Sequence, residues 1–218
     1  MTKTEKAKMV ITGISKRDII TVGKFVSTGC LHKKDFFGSS QITCTTKFLR
    51  TFEDNDYSII HSLDQSLNEI ENIDVFQFEN GQIIGHSMSK ISKNIFFLDS
   101  DDFEMECHAP NLEDTAINKA LIRNFIKTVF IKGKRDQIER FVFNSRIKQL
   151  KIVRSDEQQE YLQTFLPDNK IYKKNYQIIG CKNLVLAISQ GLKNDFPAEF
   201  YDLFKIRNRK IIGHWNSI

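Results

Sequence analysis

The sequence predicts an α+β protein in which an N-terminal β-rich domain, residues 1–112, is followed by a C-terminal helical bundle, residues 113–218. Residues 1–112 contain segments dense in Val, Ile, Thr and Phe, which suit a pleated sheet. Residues 113–218 contain apolar residues at helical spacing. The charge also changes, because residues 1–113 hold 12 Lys+Arg against 17 Asp+Glu and residues 114–218 hold 20 against 10. We identify no internal repeat.

The β-rich domain is predicted from several short segments. MVITGI, DIITVGKFV and QITCTTKFL are predicted strands, and NIFFL and DFEMEC extend the series. Asn80-Gly81 lies between two strand-like runs, and this dipeptide favours the type I′ turn of a β-hairpin. One helix, IIHSLDQSLNEIENI, is predicted among the strands.

The helical bundle is predicted from capping and breaking residues. Asp114 suits the N-cap of a helix that ends near Gly133. SDEQQEYLQTFL begins with Ser155 and early acids, as helices do, and IIGCKNLVLAISQGL is a further predicted helix. Pro197 suits the first turn of a final helix, PAEFYDLFKIRNRKIIGHW.

Composition favours a cytoplasmic protein with no membrane segment. No run approaches the roughly 18 apolar residues of a membrane span, and the charged N-terminus lacks the apolar core of a signal peptide. The 4 Cys are scattered without a CxxC pair, so they are expected to be buried thiols rather than metal ligands. We therefore expect no metal and no other cofactor.

The basic second half favours a polyanionic partner, nucleic acid before others. DNKIYKKNYQ places Lys173 and Lys174 beside tyrosines, a combination that suits single-stranded nucleic acid because bases stack on rings and phosphates pair with cations. A lysine-rich solvated surface and a surface loop explain the same features without a partner.

The predicted final helix carries the candidate chemistry. At 100° per residue, Arg207, Lys210 and His214 lie on one polar stripe. A neutral imidazole can take the proton of a ribose 2′-hydroxyl, and a guanidinium can hold the phosphate and stabilise its developing charge. Asn208 can position either group.

RNRKIIGHWN, late in a predicted helical bundle, resembles the signature of the HEPN ribonuclease superfamily, an Arg followed after four to six residues by His. Arg207-Asn208 to His214 matches the longer spacing and Arg209 to His214 the shorter. The resemblance implies a homodimer whose paired helices cut RNA without metal, in a toxin or antiviral defence role. It makes Arg207, Asn208 and His214 the catalytic residues. Lys210, Arg209, Lys173 and Lys174 are the candidate RNA-binding residues.

Other interpretations of these segments stay open. Lys, Arg and His are also favoured near a helix C-terminus because they complement its exposed carbonyl groups. A protein that binds nucleic acid or forms an assembly without catalysis, including a viral one, is the main alternative.

Two acidic segments offer further alternatives. Gly38-Ser39 with Asp54 and Asp56 invites comparison with nucleotidyltransferases, although a polar loop explains the acids better. LDSDDFEMEC places Asp102, Glu104 and Glu106 on one face of a strand, where they suit either a divalent cation or a solvated acidic edge.

Overall fold

A computed structural model describes residues 1–31, 46–65, 70–93, 105–107, 112–143 and 169–217. The chain forms two compact units, and in each unit helices precede a sheet of antiparallel strands. The predicted fold class is therefore wrong. The chain ends in a sheet where the helical bundle was expected, and it begins with helices where strands were expected.

The described residues of unit 1 form three helices and a five-stranded sheet. Its sheet has the order β5-β1-β2-β3-β4, in which only β5 runs parallel to its neighbour. The elements are α1 (Lys3–Ser15), α2 (Ile19–Phe25), α3 (Thr28–Leu31), β1 (Thr46–Asp54), β2 (Tyr57–Asp64), β3 (Ile70–Glu79), β4 (Gln82–Lys93) and β5 (Met105–Cys107).

In unit 2, the residues that the structure describes form one long helical segment and, later in the chain, a four-stranded antiparallel sheet of order β6-β7-β8-β9. The helical segment changes from α to π geometry before a separate 3₁₀ helix follows. The elements are α4 (Leu112–Phe125), a π-helix (Ile126–Ile131), a 3₁₀ helix (Arg135–Arg140), β6 (Lys170–Cys181), β7 (Leu184–Lys193), β8 (Phe196–Arg207) and β9 (Lys210–Ser217).

Capping residues explain why the chain begins with helices. Thr2 and Glu5 form a capping box, because each side chain bonds the backbone N–H of the other. Asp18 caps α2 by accepting a hydrogen bond from the N–H of Thr21. The β-branched residues of MVITGI and DIITVGKFV predicted strands, but these caps and the burial of one helix face outweigh that propensity.

In each unit the leading helix covers one face of the sheet. Helix α1 packs on β1 and β2, and α4 packs on β6 and β7. The covered layer of unit 1 contains Val10, Ile60, Phe76, Phe78 and Ile83, all buried. The layer of unit 2 is richer in aromatic rings and includes Phe125, Phe130, Tyr172, Phe200 and Phe204.

The two units contain an internal repeat that our sequence analysis missed. Residues 74–86, DVFQFENGQIIGH, align without a gap on residues 202–214, DLFKIRNRKIIGH, with seven of thirteen positions identical. Each segment forms the last hairpin of its unit, β3–β4 or β8–β9. We expected no repeat, and that expectation is wrong.

The backbone repeats as well as the sequence. Both hairpins turn through residues with positive φ, Asn80-Gly81 in one and Asn208-Arg209 in the other. Both hairpins carry a one-residue β-bulge, in which Ile84 or Ile212 has no residue opposite it on the neighbouring strand. In each unit a residue before the sheet, Val26 or Val142, also makes a parallel bridge to the isoleucine that begins the IIGH sequence.

The predicted helices of the second half agree with the structure only at their start. Helix α4 lies where a helix was expected, and the π-helical segment ends just before Gly133, which has a positive φ. IIGCKNLVLAISQGL forms parts of β6 and β7 instead. In unit 1, IIHSLDQSLNEIENI contributes to β2 and β3, and the predicted Asn80-Gly81 hairpin is confirmed. The segments SDEQQEYLQTFL and NIFFL lie outside the described residues.

The predicted final helix is two strands. Strand β8 ends at Arg207, Asn208 and Arg209 turn with φ values of 51° and 58°, and β9 begins at Lys210. Leu203, Phe204, Ile211 and Trp215 have helical spacing, but buried strands are apolar on both faces and produce the same residues. The turn was missed because Asn-Arg lacks the glycine of a typical type I′ turn.

Two predictions from composition concerned the cysteines and membrane-spanning segments. Cys30 is a buried cysteine outside any disulfide, as expected, whereas Cys181 is disulfide-bonded. In the part of the chain that the structure describes, no helix is long and apolar enough to cross a bilayer.

Gly191 offers a test of the second sheet. It pairs with Tyr172, and a Cβ at this position would lie 1.9 Å from the carbonyl oxygen of Ile171. We expect Gly191→Ala to lower the free energy of unfolding by about 2–3 kcal/mol, because backbone atoms must move to admit the methyl group. Denaturation in urea measures the change.

Gly23→Ala is the matched control, since a Cβ there meets nothing within 4 Å and the residue lies in α2. We expect this variant to be neutral or more stable by about 0.5–1 kcal/mol. Equal effects of the two substitutions would contradict the described pairing of β6 with β7.

Candidate functional site

Unit 1 holds a carboxylate–imidazole pair on the face that its helices cover. Asp74 and Phe76 share a face of β3 because they are two residues apart, and His86 stands opposite Phe76 on β4. The His86 Nε2 atom lies 2.8 Å from Asp74 Oδ1, and the imidazole stacks on the Phe76 ring at 4.5 Å between centroids. A carboxylate only accepts hydrogen bonds, so Nε2–H is the donor.

Unit 2 builds the same pair at the equivalent positions. The His214 Nε2 atom lies 2.9 Å from Asp202 Oδ1, and the imidazole stacks on Phe204 with centroids 4.6 Å apart and ring planes 4° from parallel. The pairing of Phe204 with His214 repeats that of Phe76 with His86. The repeated sequence therefore specifies a repeated three-residue site: acid, aromatic ring and imidazole.

Unit 2 adds a tyrosine to its pair. The Tyr172 hydroxyl donates to the Asp202 carboxylate, whose oxygens lie 3.0 and 3.2 Å away. Burial raises the pKa of Tyr172 well above its usual value, and the nearby Asp202 charge adds to the effect. The phenol thus stays protonated and keeps donating. In unit 1 the corresponding position, across from Asp64 on β1, is Thr46.

A buried lysine extends the cluster of unit 2. The Lys170 ammonium donates to the carbonyl oxygen of Ser217 and lies over the Phe200 ring. Burial lowers the pKa of Lys170, while the Asp202 charge acts in the opposite direction. One buried polar cluster is thus formed by Lys170, Tyr172, Asp202 and His214 beside the aromatic core of unit 2.

The two pairs differ in their access to solvent. The side chains of His214 and Asp202 are 1% and 0% exposed, whereas those of His86 and Asp74 are 13% and 7% exposed. The imidazole of unit 1 is therefore partly accessible to solvent. The imidazole of unit 2 is enclosed by side chains, among them Phe204 and Phe130.

A carboxylate–imidazole pair of this kind suits proton transfer. The carboxylate fixes the tautomer with hydrogen on Nε2 and orients the ring, so that Nδ1 is the atom that takes up a proton. It also stabilises the imidazolium that forms. A stacked aromatic ring holds the imidazole plane, which leaves fewer orientations to be lost on reaction.

The structure separates the residues that were predicted to share a helix face. Arg207, Asn208 and Arg209 lie at the exposed β8–β9 turn, while His214 is buried on the covered face of β9. The Lys210 ammonium donates to the carbonyl oxygen of Arg140. The single polar stripe of Arg207, Lys210 and His214 does not exist, because it assumed 100° of rotation per residue along a helix. Ribonuclease activity itself stays a prediction.

The other candidate residues are scattered. Lys173 and Lys174 are both exposed on β6, next to a bulge. Asp54 and Asp56 flank Asn55 at the β1–β2 turn, where Asp54 accepts a hydrogen bond from the Asn55 amide. Gly38-Ser39, Asp102 and Glu104 lie outside the described residues, as does the side chain of Glu106.

A second imidazole network lies on the opposite face of the sheet of unit 1. The Arg50 guanidinium donates to His61 Nδ1 over 2.9 Å, and His61 Nε2–H donates to Glu71 over 2.8 Å. Burial lowers the pKa of His61, the Glu71 hydrogen bond acts against this, and the Arg50 charge lowers it further. His61 is therefore a neutral bridge between a cation and an anion.

Metal ligands do not gather in the described ranges, where no three His, Cys, Asp or Glu side chains come together. Comparison with known protein families, with curated proteins and with solved structures finds no match to this chain. The site is therefore assessed from its own geometry.

Sequence reasoning found His214 but missed its partners Asp202 and Tyr172, and it missed Asp74 and His86 altogether. The signal was present. A comparison of the chain with itself aligns IIGH at residues 83–86 and 211–214, and the aspartate lies twelve residues before the histidine in both copies. A repeated acid and histidine at fixed spacing indicate a repeated contact.

The difference in burial predicts a difference in stability. We expect Asp202→Ala to lower the free energy of unfolding by about 3 kcal/mol, because it leaves the buried Tyr172 hydroxyl and His214 N–H without their acceptor. Asp74→Ala should lower it by only about 1 kcal/mol, since water can reach His86. Urea denaturation of both variants measures the two losses. Equal losses would contradict the enclosed state of the pair in unit 2.

The network of His61 predicts a pH dependence. Its pKa is lowered in the folded state, so the unfolded chain takes up a proton first as the pH falls below about 6.5. Stability that is present above this pH is lost below it, by at most about 1.4 kcal/mol per pH unit from this group.

We expect His61→Gln to remove the contribution of His61 to the pH dependence of the unfolding free energy. Plots of unfolding free energy against pH for wild type and His61→Gln should converge as the pH falls from 7 to 5. Parallel plots would show that His61 titrates in the folded state as it does in the unfolded chain.

Proposed function

We propose that this protein binds a small organic molecule in unit 1 and transfers protons on it by general acid–base catalysis, with His86 as the base. The single observation that supports this is the oriented and partly exposed His86–Asp74 pair. Asp74 acts as the positioning residue, and Phe76 holds the plane of the imidazole.

The comparison of the two units supports the assignment to unit 1. In unit 2 the same pair is enclosed, and its carboxylate also receives the Tyr172 hydroxyl. A base that is enclosed in this way cannot contact a substrate unless the core opens. The pair of unit 2 is better suited to fixing the structure, and the pair of unit 1 to chemistry.

The surroundings of His86 suit an apolar or partly apolar ligand. The covered layer of unit 1 is lined by aliphatic and aromatic side chains, and exposed Met88 stands across from Asp74 on β4. Apolar surroundings strengthen a proton transfer because they exclude water from the reacting atoms. The substrate class is therefore an organic molecule with an acidic C–H, N–H or O–H bond.

A generic proton-abstraction probe tests the proposal. In 5-nitrobenzisoxazole, removal of the ring C–H proton by a base breaks the N–O bond and releases a coloured phenolate. We expect the protein to accelerate this reaction at least about tenfold over the same concentration of free imidazole, because Asp74 and Phe76 orient the base. His86→Ala should reduce the rate to that of the buffer.

His214→Ala is the matched control, since it removes the equivalent imidazole from the enclosed pair. It should keep the wild-type rate per folded molecule, with the folded fraction measured by circular dichroism. The proposal is wrong if His86→Ala retains the wild-type rate, or if wild type does not exceed free imidazole.

A further inference from the structure

Unit 2 contains a cleft at one end of the layer between its helix and its sheet. The cleft has a volume of about 580 Å³, which is within the range of small-molecule sites. Its walls come from the start of α4, the β6–β7 turn and the β8–β9 turn. The residues that carry the argument are Asp114, Ile117, Lys182, Asn183, Ile206 and Arg209.

Unit 1 shows what occupies the corresponding space there. The Lys3 ammonium of α1 donates to the carbonyl oxygen of Asn55 at 2.6 Å, and the Lys6 ammonium donates to that of Gly81 at 2.7 Å. Two lysines of α1 therefore bind the β1–β2 turn and the β3–β4 turn of unit 1. Their aliphatic stems and ammonium groups lie between the helix and the turns.

The helix of unit 2 lacks both lysines. Buried residues follow the same spacing in the two helices, Thr4, Ala7 and Ile11 in α1 and Thr115, Asn118 and Ile122 in α4. This alignment places Asp114 where unit 1 has Lys3 and Ile117 where it has Lys6. Neither side chain can donate to a turn carbonyl as a lysine does.

The cleft is lined by polar as well as apolar residues. The Asn183 Oδ1 atom is buried and has no hydrogen-bond partner in the described chain. The side chains of Lys182 and Arg209 are exposed at the β6–β7 and β8–β9 turns, and both line the cleft. An unpartnered buried acceptor costs free energy, and a ligand that donates to it removes that cost.

We propose that this cleft binds a ribose phosphate unit. The ammonium of Lys182 and the guanidinium of Arg209 supply two cations for a phosphate group. The Asn183 carbonyl oxygen and the Asp114 carboxylate supply acceptors for sugar hydroxyl groups. Ile117 and Ile206 supply an apolar wall for the carbon skeleton.

The chemistry of the lining selects this class over simpler ones. Inorganic phosphate uses the two cations but leaves the Asn183 oxygen unpartnered and places a dianion beside Asp114. An unphosphorylated sugar uses the acceptors but neutralises neither cation. A ribose phosphate satisfies both sets, and it comes either as a free sugar phosphate or as part of a nucleotide.

Isothermal titration of the full chain with four probes tests the proposal: ribose 5-phosphate, inorganic phosphate, ribose and adenosine 5′-monophosphate. We expect ribose 5-phosphate to bind at least tenfold more tightly than phosphate or ribose. Tighter binding of the nucleotide assigns the source to nucleotides, and equal binding assigns it to free sugar phosphates.

Three variants locate the site. Lys182→Gln and Arg209→Gln each remove one cation from a turn position, and we expect each to weaken binding of ribose 5-phosphate at least tenfold. Ile117→Lys restores the lysine of unit 1, and we expect it to abolish binding because its ammonium fills the place of the phosphate. Lys174→Gln, an exposed cation outside the cleft, should bind as wild type.

The proposal is overturned if ribose 5-phosphate does not bind at millimolar concentration, or if Arg209→Gln binds as tightly as wild type. Equal binding of phosphate and ribose 5-phosphate would also overturn it, since the sugar would then make no contact. These outcomes are independent of the proton-transfer assay, which involves residues of unit 1 only.

Discussion

The register of the last hairpin in each unit is the constraint on which the candidate site depends. A turn with two positive φ residues and a one-residue bulge together place His86 opposite Phe76, and His214 opposite Phe204. A shift by one residue would turn each imidazole to the other face of the sheet, away from its carboxylate. Ile84 and Ile212, the bulged residues, are therefore as important to the site as the residues that form it.

The residues around the Asp–His pair differ between the two units, and the exposure of the pair differs with them. In unit 2 the Tyr172 hydroxyl completes the hydrogen bonding of Asp202, and aromatic rings enclose the group. A buried polar network in which each member has a partner fixes one packing arrangement of a core. In unit 1 the tyrosine position is Thr46, and the imidazole meets solvent. The same three residues are thus an enclosed core contact in one unit and a partly exposed group, our proposed base, in the other.

The contacts between the leading helix and the hairpin turns also differ between the two units. In unit 1, the ammonium groups of Lys3 and Lys6 on the helix donate hydrogen bonds to backbone carbonyl oxygens of the turns. Unit 2 has Asp114 and Ile117 in their place, and its cations, Lys182 and Arg209, lie on the turns instead. The lysine contacts of unit 1 are thus absent from the corresponding positions of unit 2, where the cleft that we propose as a binding site lies.

The sequence by itself determined the Asn80-Gly81 hairpin, the position of α4 and the end of the helical segment near Gly133, because each has a strong local signal. It also contained the repeat, which only a comparison of the chain with itself reveals. Tertiary structure decided the rest. Buried strands such as β7 and β8 are apolar on both faces, so their periodicity does not distinguish them from buried helices, and the Asn208-Arg209 turn lacks a glycine to mark it. The partner of His214 depends on pairing between β8 and β9, and the pairing of distant residues is a property of the folded chain rather than of any local segment.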